Sequence, residues 1–273
     1  MKQLKVLFLV LIACVTLLAG TVRAESLMMA TTTSTDNTGL LDYLAPMFTA
    51  DTGVELKWTA VGTGKALKMG ENCDVDVLLV HAPAAEKAFI ESGFGTTRRE
   101  IMYNDFVIIG PAADPAGVKG KTVTEALAGI AGSGAKFVSR GDDSGTHKKE
   151  LSLWKSANMA IPDKDAWYVQ TGQGMTATIN VAEEMSGYTM TDRGTFIKYA
   201  DTKGGNPALV VLVEGDKVLF NQYSVLLLNP ERCKDAKHDL AAKFSDWLAS
   251  EKGQKAIGDF RLMGKPLFTP NAK

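Results

Sequence analysis

Four short segments of this sequence combine hydroxyls, glycines and one arginine. They are Thr31-Thr32-Thr33-Ser34, Gly62-Thr63-Gly64, Arg140-Gly141-Asp142-Asp143-Ser144-Gly145-Thr146 and Gly172-Gln173-Gly174-Met175-Thr176. Each lies between a predicted strand and a predicted helix. The first N–H groups of a helix have no partner inside it. Together with the helix dipole they favour an anion. Glycine lets the backbone approach closely, and Arg140 adds a permanent planar charge suited to bidentate contact with oxyanions. The candidate ligand groups are Thr33, Ser34 and Thr63 from the first half, and Arg140, Ser144, Gly145, Thr146, Gly174, Met175 and Thr176 from the second. Any one of these segments could be simple helix capping, and Arg140 could pair with Asp142 or Asp143. Four segments, two in each half, form a pattern that capping alone does not demand.

Competing chemistries lack their signatures. Gly117-Val118-Lys119-Gly120-Lys121-Thr122 ends like a phosphate-binding P-loop, but Pro115 stands where its first glycine belongs. Gly172-x-Gly174-x-x-Ala177 imitates a dinucleotide fingerprint without the acidic residue about 20 positions later. No Gly-x-Ser-x-Gly occurs. The three histidines, His81, His147 and His238, are scattered, and no Cys/His cluster has metal-ligand spacing. The reading therefore includes no metal and no cofactor. A secreted hydrolase built on Ser144 and His147 is the alternative of a different class, although their spacing of three at a helix start gives no orienting logic.

The elements that would hold these segments alternate. Ser26–Ala30 reads as a strand, and Leu40, Leu41, Leu44, Met47 and Phe48 follow helical spacing over Thr38–Ala50. Strands are expected at Val54–Ala60 and Val75–Val80, the latter followed by His81-Ala82-Pro83 and a helix over Ala84–Ser92. Tyr103–Gly110 reads as a strand leading into a Pro/Ala/Gly-rich stretch, after which a second strand–helix series runs from Val123 to Val213. Asn221–Leu228 is a long apolar strand before the terminal helices. Such alternation predicts an α/β fold with parallel sheets. Two lobes would be joined by crossing strands near residues 106–110 and 221–226, with the ligand in the cleft outside the carboxyl ends of strands. The expected boundaries are 25–108 and 223–273 for the first lobe and 109–222 for the second.

The remaining sequence sets the compartment. Lys2 and Lys5, the apolar run Val6–Gly20 and the small residues up to Ala24 read as a secretory signal peptide cleaved after Ala24. Lipidation at Cys14 is disfavoured because the apolar run continues past it. Without Lys2, Lys5 and Arg23, 27 of the 30 basic residues stand against 31 acidic ones. That balance argues against a nucleic-acid partner. Cys73 and Cys233 could pair in an oxidising compartment or stand as separate half-buried thiols. The chain of 273 residues, 45% hydrophobic and 22% charged, is long enough for two domains.

At these residues the chain resembles the periplasmic solute-binding proteins of oxyanion ABC transporters, and most nearly the TupA family of tungstate-binding components. The resemblance rests on Thr31–Ser34 within ATTTSTDNTGLLDYL, and extends through VGTGKAL, SRGDDSGTH and QTGQGMTATINVAEE over the whole mature chain. It implies a type II, Venus-flytrap fold with capture of WO₄²⁻ between the lobes. Delivery to a membrane permease with its ATPase, a periplasmic location and a monomeric state are also expected. Molybdate, phosphate and sulfate are the alternatives within the fold. Phosphate-binding proteins are similar around Arg140, Ser144, Gly145 and Thr146, and Thr63 stands where they place an anion-contacting serine. They carry an aspartate before an Ala-Pro pair to accept the proton of HPO₄²⁻; here His81 stands in that place, and a donor there would suit an unprotonated dianion.

Overall fold

The computed structural model describes residues 25–273. The expected signal peptide, residues 1–24, and Cys14 lie outside the described residues.

The first lobe begins with β1 (Ser26–Thr32), α1 (Thr33–Asp36), α2 (Leu40–Thr52), β2 (Glu55–Val61) and α3 (Thr63–Glu71). It continues through β3 (Val77–Val80) and α4 (Pro83–Glu91) into β4 (Gly95–Pro111). The second lobe adds α5 (Val123–Ser133), β5 (Phe137–Ser139), α6 (Gly145–Ser156), β6 (Tyr168–Gln170) and α7 (Met175–Glu184). It is completed by β7 (Thr189–Asp192), α8 (Arg193–Thr202) and β8 (Leu209–Val213). The chain then returns along β9 (Phe220–Leu228) to α9 (His238–Ala249), α10 (Glu251–Asp259) and the short strands β10 (Arg261–Leu262), β11 (Lys265–Pro266) and β12 (Thr269–Pro270).

Strand pairing divides at one point on β4. Gly95–Asp105 pairs antiparallel with β9, whereas Phe106–Pro111 pairs with β7 and β8. The first sheet runs β12-β4-β9-β3-β1-β2. Among the described residues, the parallel strand pairs are β1 with β2, β1 with β3, and β5 with β6, with one further parallel bridge between Phe137 and Tyr188. The expectation of parallel sheets is met in part: β9 re-enters the first sheet from the second lobe and runs antiparallel to β3. The return crossing therefore lies at Lys217–Phe220, just before the stretch anticipated from sequence, and Asn221–Leu228 belongs wholly to the first sheet.

Burial follows the same division. Leu27, Met29, Phe48, Val77, Tyr223 and Phe244 share one cluster, and Phe106, Ile108, Trp154, Tyr188 and Leu212 another. Strand β4 was only half visible in sequence because its first half, GTTRREIM, is heavily charged. Arg98 there is matched inside the fold, donating to the fully buried Glu86 at 2.7 Å. Burial raises the Glu86 carboxyl above its ordinary value, against the opposing pull of the Ala82 N–H and Arg98.

Cys73 and Cys233 form a disulfide with Cα atoms 5.2 Å apart, tying the turn after α3 to the turn after β9. It closes a separation of 160 residues. In the chain-entropy account a loop of that length contributes about 5 kcal/mol by restricting the unfolded chain. Replacing both cysteines by serine is expected to lower unfolding stability by roughly that amount in denaturant titrations. A loss below about 1 kcal/mol would mean that the unfolded chain is already confined there.

Candidate functional site

The carboxyl ends of β1, β3, β5 and β7 meet the start of β9 at one end of the two sheets. A cavity of about 280 Å³ lies there. Thr33 and Ser34 line it from the first lobe, and Arg140, Thr146, Met175 and Thr176 from the second. Three of the four sequence segments thus reach one cavity, the Gly62–Gly64 segment being the exception, and the Thr run resolves by burial. Thr31 is fully buried and donates to the Leu79 carbonyl, and Thr32 caps α1, so Thr33 and Ser34 are left to face the cavity.

Four expected residues do not line this cavity. Thr63 opens α3, whose N-cap, Gly62, supplies no side-chain bond. Ser144 is the N-cap of α6, and its Oγ accepts from the His147 backbone N–H at 3.2 Å. Gly145 begins that helix, and Gly174 caps α7 without a side chain. The Ser144–His147 pair has no nucleophile–base hydrogen bond. Ser144 meets the backbone of His147, while the ring Nδ1 accepts from the Asp143 N–H at 3.0 Å.

Arg140 is held rather than free. Its Nη2 donates to Asp142 at 2.5 Å and its Nη1 lies 3.5 Å from the Thr146 hydroxyl. Nε is buried and has no partner, a donor left for something else. Burial opposes ionisation of Asp142, but bonds from Ser144 and Arg140 outweigh it and hold the carboxyl below its ordinary value. Arg140 thus makes the ion pair with Asp142 and also lines the cavity. Gly141 makes the turn possible. Its φ is +59°, and a Cβ there would sit 2.8 Å from that of Gln170.

Below Ser34 lies a hydrogen-bonded relay through the half-buried His81. His81 Nε2 is 2.9 Å from both the Thr32 and Ser34 hydroxyls, and Nδ1 is 3.0 Å from Asn221 Oδ1. Asn221 Nδ2 donates to Asn104 Oδ1 at 2.8 Å, so its oxygen faces the ring and assigns the proton to Nδ1. Nε2 is then an acceptor. Burial holds His81 below the ordinary histidine value, opposed by Asn221 and the charge of Asp192. The donor expected at this position from the phosphate-binder comparison is therefore an acceptor that orients hydroxyls and reaches the cavity only through Ser34.

The cavity also contains residues the sequence reading missed, namely Asn37, Thr38, Asp192, Gly194, Thr195, Lys198 and Leu262. The carboxylate of Asp192 accepts from the Thr195 N–H and hydroxyl at 2.9 and 2.6 Å. The Asp-x-x-Thr spacing is a capping signal that could have marked it.

A PBP superfamily domain matches residues 19–252. The tungstate-binding protein TupA of Campylobacter jejuni is 51% identical over 240 residues, covering 88% of this chain and 89% of that protein. The chain belongs to the TupA family of the PBP superfamily. A solved tungstate-binding TupA from Desulfovibrio alaskensis superposes with a TM-score of 0.90 at 72% identity, over 92% of this chain and all of that one. The tungstate ABC transporter structure from Geobacter sulfurreducens matches at TM-score 0.74 and 49% identity, over 86% of this chain and 99% of that one. The TupA relationship carries the two-lobed binding-protein architecture inferred from the strand pairing.

Proposed function

We propose that this chain captures tungstate between its lobes in the periplasm and delivers it to the permease of an ABC importer. The observation that carries the reading is the single cavity that gathers hydroxyls from one lobe with Arg140 and a helix start from the other. The first turn of α7 has no side-chain cap, so its N–H groups are available to an anion. TupA relatives named for tungstate binding select the anion. Thr33, Ser34, Arg140, Thr146, Met175 and Thr176 serve as the inner ligand groups. Thr63, Ser144, Gly145 and Gly174 serve by setting the backbone of the surrounding helix starts.

We take the lobes as 25–105 with 220–273, and 106–219, close to the boundaries expected from sequence, and closure of one on the other is the functional motion. An anion that bonds to both lobes binds the closed state better and so favours it. The protein acts by binding, as a monomer exported by a signal peptide, and needs neither metal nor cofactor. A charge-assisted bond contributes about 1.5–3 kcal/mol and neutral ones about 0.5–1.5 each. One arginine with six to eight neutral donors gives roughly 5–15 kcal/mol before association costs, against about 8 for micromolar binding.

Thermal melting with sodium tungstate, molybdate, sulfate or phosphate tests this. Tungstate at a hundred times its dissociation constant is expected to add about 2.7 kcal/mol of stability. Stabilisation by phosphate or sulfate at lower concentration than tungstate would refute the assignment.

A further inference from the structure

Helix α8 belongs to the second lobe through Tyr199, which packs with Val107 and Ile109. Its first turns nevertheless face the first lobe. Ile197 joins the first-lobe cluster with Leu262 and Leu267. A Cβ at Gly194 would sit 3.6 Å from Leu267 and 3.8 Å from Leu262. One turn further on, Lys198 shares the face of Gly194. Its Nζ donates to the carbonyl of Asn37, at the end of α1 in the first lobe. Lys198 and Asn37 both line the cavity that contains Arg140. Among the described residues, Lys198 has no carboxylate within 4.0 Å. One ammonium therefore touches the second lobe by its stem, the first lobe by its hydrogen bond, and the cavity by its position.

We propose that Lys198 is an interlobe latch and the second cation of the anion site. This rests on the reading of the cavity as an oxyanion site. An ammonium has three N–H donors. The Asn37 carbonyl takes one and leaves others for an oxyanion held by Arg140. The Asn37 bond exists only while the lobes are together. A dianion that uses Lys198 is thereby coupled to closure, and its release requires the latch to open. Arg140, fixed by Asp142 within its own loop, has no such bond across the cleft and supplies affinity in either state. Lys198 thus makes binding depend on closure.

The test compares wild type with Lys198→Met and Lys198→Gln, using sodium tungstate as the probe. Methionine keeps the apolar stem against the helix and removes the charge. Calorimetry and stopped-flow dissociation are run at low and high salt. Removing one charge-assisted bond is expected to weaken binding by about 10–100-fold. Most of the loss should appear as faster dissociation, with a shallower fall of affinity as salt rises. Without anion, both variants should melt with wild type but scatter X-rays as a more open particle. Wild-type affinity and dissociation rate in both variants would overturn the latch. So would weaker binding with an unchanged dissociation rate and salt slope, the signature of a merely structural role. Failure of wild type itself to bind tungstate would instead overturn the functional reading.

Discussion

Replacement of Arg140 by alanine is expected to weaken tungstate binding by at least about a hundredfold, the equivalent of roughly 3 kcal/mol or more. Arg140 lines the cavity with Nη1 beside the Thr146 hydroxyl, and its Nε is buried without a partner. Bonds to a charged group contribute about 1.5–3 kcal/mol each, and an anion left without its cation retains the desolvation cost. Lysine at this position keeps a charge but loses the planar fork that spans Asp142 and Thr146. Arg140→Lys should therefore fall between wild type and alanine. The substitution also leaves Asp142 without its guanidinium, so unliganded melting must be measured alongside calorimetry. Near-native tungstate affinity in a folded Arg140→Ala protein would remove Arg140 from the site.

Arg140 was legible in sequence because its surroundings are local. A guanidinium beside two carboxylates and a Ser-Gly-Thr helix start lies within seven consecutive residues. The Thr31–Ser34 run was legible for the same reason, but which hydroxyls face the cavity is set by the burial of Thr31 and the capping bond of Thr32, which only the fold shows. Lys198 and Asn37 were not legible. They are 161 residues apart, and nothing in either local pattern marks their meeting. The His81 relay failed differently. Its position before Ala82-Pro83 was visible, but its tautomer depends on Asn221, 140 residues away across the β3–β9 pairing. The fold was legible wherever apolar periodicity is clean, and illegible at Arg98, where strand β4 carries a charge satisfied by the buried Glu86 of another element.

The same distinction between local and distant partners governs the loop that holds Arg140. Glu150, 4% exposed, lies on α6 one strand end away from the cavity. Its Oε2 accepts from the Ser139 hydroxyl at 2.6 Å, and its Oε1 from Tyr168 and Trp154 at 2.7 and 2.9 Å. The Ser139 oxygen in turn accepts the Gly141 N–H at 3.3 Å, so both neighbours of Arg140 are anchored through one carboxyl. Glu150→Leu strands those donors and is expected to cost about 3–5 kcal/mol of stability. It should also weaken tungstate binding by about tenfold as the loop shifts. Glu150→Gln should behave differently. Its amide oxygen can still accept from Tyr168 and Trp154, and its NH₂ can donate to the Ser139 oxygen. Burial raises the Glu150 carboxyl above its ordinary value, opposed by the three hydrogen bonds. The native state therefore holds this proton more tightly than the unfolded chain, and its contribution falls as pH rises from about 4.5 through the native value. The difference in stability between Glu150→Gln and wild type should accordingly move in favour of glutamine over that interval, with tungstate affinity at neutral pH retained. Denaturant titrations of both proteins between pH 4.5 and 7.5 measure it. Glutamine proving as damaging as leucine would mean that the site needs the negative charge itself beneath Arg140, and not merely an acceptor of the right shape.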